Sequence, residues 1–345
     1  MTNATDQPAS ASPGTVREQR VREFFEDFRG ARVCHPELVN DKGVLVGNNG
    51  DRLMVLGTDR LYNDFGVERV EDPAKADLIA IGGNGGMHER FTWIPRIFEH
   101  HNRTYPGTPL VILPSTFHYP TRPFQELIST ERTAPLTIFC RERYSAEQLV
   151  HRHQLPDGVD VRLDRDMAFE LEGTDLIKGL QGRTGQHVLM IERVDVEHPS
   201  VRMNPRRLGL RGRISKRMPD GLKKMLYPLV VRHRSRQVTP FRQRCEQLLA
   251  EHHPEFASLP VIAKDISSVN TCSFEEFCEL TADAAVVFST RLHGGIFSSL
   301  VDRPTFIFEG PYHKIRGIWE YALADHPQVT FVPLADGEQP AEDAT

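Results

Sequence analysis

Nowhere does this 345-residue chain string together the roughly 18 apolar residues that a membrane-spanning helix requires. Its first residues, MTNATDQPASASPGTVREQR, are polar and small, without the apolar run of a secretory signal. Residues 1–20 are therefore expected to form a disordered tail on a cytoplasmic protein. Cysteine is scarce: Cys34, Cys140, Cys245, Cys272 and Cys278 are scattered and odd in number. No CxxC or Cys/His cluster of zinc-site spacing occurs, so reduced thiols are expected, and no metal. Neither GxGxxG nor a Walker loop is present, which removes the usual sequence signs of a nicotinamide or ATP site. The net charge of -5 argues against nucleic acid as a partner of the whole molecule.

What is present is alternation. ADLIAIGGNGG, TPLVILPSTF and PLTIFCRERYS each read as a buried strand running into a polar or glycine-rich turn, and GVLVGNNGD reads the same way. Between them WIPRIFEHHNRTY and YSAEQLVHRHQL carry helical spacing. The pattern resumes with HVLMIERVD (strand), VTPFRQRCEQLLAEHH (helix), SLPVIAKDI (strand), SFEEFCELTADA (helix), AAVVFST (strand), GIFSSLVD (helix) and RPTFIFEG (strand). Apolar strands alternating with helices predict an α/β fold with parallel sheets covered on both faces. The length suits two domains. We expect two Rossmann-like domains facing an interdomain cleft: residues 21–175 and residues 183–325, with a C-terminal tail at 326–345. No internal sequence repeat is evident.

In such folds, ligands gather at the carboxyl ends of strands. FSTRLHGGIFSS places Arg291 and His293 at a strand end, before a Gly294–Gly295 turn that opens a helix. A helix N-terminus offers unpaired N–H groups, the arginine a planar donor fork, and the histidine a group that titrates near neutral pH. The bland alternative is a tight turn and a core ion pair. FCRERYS places Arg141 at another strand end, with Ser145 as a helix cap and Glu142 as a surface partner for a purely structural pair. Asn48, Gly50 and Asp51 lie in one strand–helix turn; Gly82, Gly83, Asn84 and His88 lie in or just after another. Ser115, Thr116 and His118 close a further strand. Five polar strand ends together favour a site for an anionic donor and a hydroxyl-rich acceptor.

These residues resemble the polysaccharide pyruvyl transferase family across about residues 42–325. The resemblance rests on GNNGD at 47–51, DLIAIGGNGG at 77–86, CRERYS at 140–145, DMA at 166–168, STRLHGG at 289–295 and YHKIRG at 312–317. It implies a fold similar to GT-B glycosyltransferases and phosphoenolpyruvate as donor substrate, with no cofactor. The product it implies is a pyruvate ketal on a cell-surface glycan or its lipid-linked precursor. By motif match, Arg141, Arg291 and His293 would be catalytic and face the donor, with Leu292 and Gly294 in the same binding element. His293 would be the acid/base, and Lys314 a further phosphate contact.

Two other readings stand beside this one. A nucleotide-sugar glycosyltransferase would also use Arg291 and a helix N-terminus for a diphosphate. A non-catalytic glycan- or membrane-associated binding protein would lack phosphate release. The segment 202–236 holds twelve Lys or Arg residues against the single acid Asp220. It reads either as a solvated insertion or, through GLKKMLYPLVV, as a peripheral contact with an anionic membrane at the inner face.

Overall fold

A computed structural model of the chain describes residues 16–37, 47–89, 93–153, 155–193, 239–267, 269 and 272–334. The expected strand at GVLV and the basic segment 202–236 lie outside the described residues. The chain divides into two compact units, Met1–Gly47 with Leu53–Glu170, and Asn48–Arg52 with Leu171–Thr345.

The first unit runs β1 (Arg17–Glu18), α1 (Val21–Glu26), β2 (Arg32–Cys34), α2 (Asn49–Asp64), β3 (Glu68–Arg69), β4 (Leu78–Ile81), β5 (Met87–His88) and α3 (Trp93–Thr104). It continues with β6 (Leu110–Ser115), β7 (Phe117–His118), β8 (Leu136–Cys140), α4 (Arg143–Glu147) and β9 (Val159–Leu163). Among the described residues, seven strands form one sheet in the order β1-β9-β8-β6-β4-β2-β3, and every pairing is parallel. Strands β4, β6 and β8 are buried at every position. That is why they read as unbroken apolar runs: a parallel sheet covered on both faces leaves no polar side. Phe25 of α1 and Leu61 and Tyr62 of α2 share one core with Ala80, Val111 and Phe139 of the sheet. Burial of such side chains stabilises by about 1.5–3 kcal/mol each. The short strands β5 and β7 pair with each other, His88 opposite His118.

The second unit runs α5 (Asp175–Leu180), β10 (His187–Ile191), α6 (Thr239–His252), β11 (Val261–Lys264), α7 (Phe274–Ala282), β12 (Ala284–Ser289), α8 (Leu292–Leu300), β13 (Thr305–Phe308), α9 (Lys314–Ile318) and β14 (Val329–Val332). Its sheet has the order β11-β10-β12-β13-β14, again parallel throughout. Phe288 of β12 stacks on Phe306 of β13 at 4.9 Å within a core that includes Phe241 and Cys245 of α6.

The two sheets share a strand order that no sequence repeat announces. In each, one strand lies to one side of the unit's first long connection and the following strands build out to the other. The order therefore reverses between β2 and β4 in the first unit, and between β10 and β12 in the second. Such a reversal splays the adjoining loops apart and opens a crevice at the carboxyl ends. GGNGG follows β4 and TRLHGG follows β12, so both motifs sit at reversal points.

Three expected boundaries shift. Arg17 and Glu18 pair with Arg162 and Leu163, so part of the expected tail is an edge strand. Val329–Val332 pairs with Thr305–Phe308, which carries the second sheet past residue 325. Residues 48–52, expected in the first domain, group with the second unit.

Candidate active site

Strand β12 ends at Ser289, and two hydroxyls shape the turn beyond it. Thr290 Oγ1 donates to the Ile191 carbonyl (3.0 Å) and accepts from the Arg193 N–H (2.9 Å), tying the tips of β10 and β12 together. Ser289 Oγ accepts from the Arg291 N–H (3.1 Å) and donates to the Arg291 carbonyl (2.7 Å). Arg291 is thereby set as the N-cap of α8, in extended conformation and with no side-chain cap to the helix amides. Ser, Thr, Asp or Asn normally fills that position because each has an acceptor to offer the first turn, and arginine has none. A cation at the positive pole of a helix is also unfavourable for the helix itself. The first turn of α8 is thus left without a side-chain cap from this residue, the arrangement an anion site uses.

The expected Gly294–Gly295 turn is helix instead. α8 begins at Leu292, and both glycines lie in its first turn. A Cβ on Gly294 would come within 2.7 Å of Ile191 and Ser289 side-chain atoms, and one on Gly295 within 2.4 Å of Ile307. The glycines let the helix lie flat on the sheet; their open side faces strands. Leu292 is buried, and His293, one residue into the helix, is half-buried.

Arg291 grips Asp265 with two bonds, Nε to Oδ1 at 3.2 Å and Nη2 to Oδ2 at 2.6 Å. The two side chains are 14% and 8% exposed. Asp265 directly follows β11, which lies on the far side of β10 from β12, so the pair crosses the tip of the intervening strand. The sequence reading missed Asp265, although SLPVIAKDI ends in this acid at a strand's carboxyl end. Lys264 beside it is held away by Glu276 (2.7 Å).

GNNGD supplies the next layer. Asn48 Oδ1 accepts from the Gly50 N–H (2.7 Å), and Asp51 accepts from the Asn48 N–H (2.8 Å). This reciprocal pattern is a capping box at the start of α2. Asn48 and Asp51, expected to touch substrate, have these polar atoms committed to the helix end. Asn49 was overlooked. It is buried, its N–H donates to the Ser267 carbonyl (2.9 Å), and its side-chain amide reaches the Ile266, Cys272 and Ser273 carbonyls at 2.8, 3.1 and 3.3 Å. It therefore pins the chain just beyond Asp265. Gly50 packs on His293: a Cβ there would lie 2.6 Å from the histidine Cβ and 2.7 Å from Nδ1.

In the first unit Arg141 departs from expectation. Its guanidinium, 1% exposed, donates to Asp166 through Nη1 (2.5 Å) and to Thr116 Oγ1 through Nε (2.9 Å). The fork expected to open towards a donor is closed on a buried carboxylate, because a buried guanidinium needs a counter-charge. Glu142 is equally changed from a surface partner to a buried cap. It accepts from the Ser145 N–H (2.8 Å), and burial pushes its carboxyl up to about 7. Ser145 is therefore not the N-cap; its hydroxyl accepts from the Phe117 N–H (2.7 Å).

GGNGG is a self-braced loop. Asn84 donates to the Gly82 carbonyl and accepts from the Gly86 N–H, both at 2.7 Å, while its own N–H reaches Ser115 Oγ (3.2 Å). Gly83 passes so close to the Pro114 carbonyl that a Cβ would stand 2.9 Å from it. The His88 and His118 rings lie 4.6 Å apart between centroids. Asp164 and Asp166 are two residues apart, a spacing that can hold a metal. Here Asp166 serves Arg141 and Asp164 accepts from the Val21 N–H (2.5 Å). Among the described residues no cluster of three metal-ligating side chains occurs. In the second unit Lys314 lies over the Tyr312 ring at 5.1 Å, and Arg316 bonds Glu309 at 2.7 Å.

The second unit thus joins Arg291, His293, Asp265 and the first turn of α8 at a reversal point, beside the box at 48–51. A helix end bearing a fixed guanidinium and an imidazole suits a transferase acting on an anionic donor. The chain belongs to the polysaccharide pyruvyl transferase family, whose model matches residues 22–310. Membership marks it as a pyruvyl transferase of polysaccharide biosynthesis, a reaction with a glycan acceptor. Among solved structures, a functionally uncharacterised protein of Klebsiella pneumoniae shares the fold at TM-score 0.54 and 16% identity, with 90% of this chain and 96% of that one covered. The Escherichia coli heptosyltransferase WaaC, solved with ADP-2-deoxy-2-fluoro heptose, matches at TM-score 0.32 and 11% identity, covering 90% of this chain and 95% of that one. The chain matches no curated protein. No helix among the described residues is long and apolar enough to cross a membrane.

Proposed function

We propose that the chain transfers the pyruvyl group of phosphoenolpyruvate to two hydroxyls of one glycan residue, forming a ketal and releasing inorganic phosphate. The observation that carries this reading is Arg291, set as an uncapped N-cap of α8 with His293 in the first turn. Phosphoenolpyruvate bears a carboxylate and a phosphate on neighbouring positions, which a guanidinium fork and a helix end can hold together.

The chemistry runs in two additions. A proton reaches the donor's methylene carbon, which becomes a methyl group, and positive charge develops at the neighbouring carbon. One sugar hydroxyl oxygen bonds there and loses its proton to a base. The second hydroxyl then bonds to the same carbon as the carbon–oxygen bond to phosphate breaks, and its proton leaves with phosphate. His293 is the group proposed to move these protons. Arg291 holds the donor's carboxylate while the α8 amides stabilise the departing phosphate, and Lys314 is proposed as a further contact to that phosphate. Arg141 enters as the buried support of the β8 carboxyl end. A GT-B-like pairing of the two units, a cytoplasmic site and an acceptor that is lipid-linked at the inner membrane face belong to the same proposal.

The test is incubation with phosphoenolpyruvate and a library of bacterial oligosaccharides, followed by mass spectrometry and a phosphate assay. A product heavier by one pyruvate less one water, with equimolar phosphate, supports the reading. Thermal stabilisation by UDP or GDP but not by phosphoenolpyruvate would replace it with a nucleotide-sugar transferase.

A further inference from the structure

We infer that Asp265 is a positioning residue that sets the plane of the Arg291 guanidinium and so lets the site prefer a two-headed anion over a lone phosphate. The inference rests on the pyruvyl-transfer reading and adds a residue to it.

Five observations lead there. Arg291 stands at the positive end of α8, where the helix field gives a cation no reason to stay. A free arginine stem would swing towards water, yet this guanidinium is held at two nitrogens by Asp265. Asp265 comes from a strand that does not adjoin β12, so the bond forms only because the chain after β11 is fixed in place. Asn49 provides that fixing through the Ile266 and Ser267 carbonyls. The neighbouring cation, Lys264, is engaged by Glu276 and does not draw Asp265 away.

Charge alone predicts the opposite of what orientation predicts. Asp265 is an acid beside an anion site, so removing its charge should tighten every anion that binds there. If instead its task is to orient the fork, removal leaves phosphate on the helix end and loosens the second grip on the carboxylate.

The full chain, titrated calorimetrically with phosphoenolpyruvate and separately with inorganic phosphate, separates these cases. The wild type is expected to favour phosphoenolpyruvate. In Asp265→Asn that preference falls by about tenfold while phosphate binds as tightly as before or tighter. Asp265→Glu keeps the charge but moves it by one methylene, and is expected to lose the preference too. In an Arg291→Lys background, Asp265→Asn should have no further effect, since the acid acts through the arginine. Equal weakening of both anions would mark a merely structural role and overturn the inference, as would an unchanged preference in either Asp265 variant. Should Asp265→Asn fail to fold, Asp265→Glu decides by the same ratio. A wild type that does not distinguish the two anions would defeat the pyruvyl-transfer reading itself, and this inference with it.

Discussion

Arg141 and Asp166 form an ion pair from which water is excluded, with side chains 1% and 0% exposed. The pair joins the carboxyl end of β8 to the element DMA and makes two separate motifs one structural unit. Removing one member leaves a buried charge without its partner. Arg141→Ala or Asp166→Ala is expected to destabilise by about 3–5 kcal/mol in urea unfolding. Joint replacement by apolar residues of similar volume, Arg141→Met with Asp166→Leu, should restore most of that. If Arg141→Ala unfolds at the wild-type midpoint but no longer binds phosphoenolpyruvate, the arginine serves a ligand and the structural account is wrong.

His293 is half-buried and sits at the first turn of α8. His293→Ala should lower phosphate release by about 10²–10⁴-fold, the usual range for an acid/base group. Circular dichroism should stay unchanged. A variant that keeps near-full turnover removes His293 from the mechanism.

Gly50 has no room for a side chain. Gly50→Ala pushes a methyl group to within 2.6 Å of the His293 Cβ, so either the helix or the histidine must move. Overpacking of this kind costs about 1–3 kcal/mol. A lowered melting temperature and a fall in turnover should appear together, and a fully active Ala variant would show that the His293 position is not critical.

Asn49→Asp is expected to be worse than Asn49→Ala. The alanine loses the bonds to the Ile266, Cys272 and Ser273 carbonyls, at about 1–3 kcal/mol for buried groups left unpaired. The aspartate turns a donor into a charge facing those same carbonyls. Thermal melts of both variants give the order directly.

The buried Glu142 and the half-buried His35 should make stability depend on pH in opposite senses. Burial raises Glu142 to about 7, so between its unfolded value near 4.5 and 7 the folded state holds a proton that the unfolded state has released. Stability from this group is complete below that window and is lost as pH rises through it. Burial lowers His35 to about 4, so between 4 and 6.5 the unfolded state binds the extra proton, and stability is lost as pH falls. The two slopes oppose each other between about 4.5 and 6.5 in the wild type. Glu142→Gln removes one and keeps a carbonyl acceptor for the Ser145 N–H. Its urea midpoint should fall more steeply than the wild type's from pH 6.5 to 4, and hold better from pH 6 to 8.

The strands legible in the sequence are those whose surroundings are apolar on both sides. β4, β6, β8, β10, β12 and β13 are buried at every position, and each appears as an apolar run. The edge strands β1 and β3 are two residues long and exposed, so their existence is decided by pairing and not by side chains. The placement of Arg291 and His293 just beyond β12 was legible because polar residues in α/β folds gather at strand ends. Asp265 and Asn49 were not, because their significance lies in bonds to residues 26 and more than 200 positions away. The glycines after His293 were misread for a related reason: the residue type signals a turn, whereas the demand here comes from Ile191 and Ile307 pressing on a helix.

The grouping of residues 48–52 with the far half of the chain bears on how this protein can be divided. A recombinant piece starting at Leu171 would contain α8 and Asp265, yet it would be missing the amide that clamps the β11 loop and the bare backbone against which the imidazole rests. Dissection at residue 170 would therefore yield a fragment in which the corner proposed to bind an anion lacks one wall. Supplying a synthetic peptide spanning 48–64 is the natural way to rebuild it.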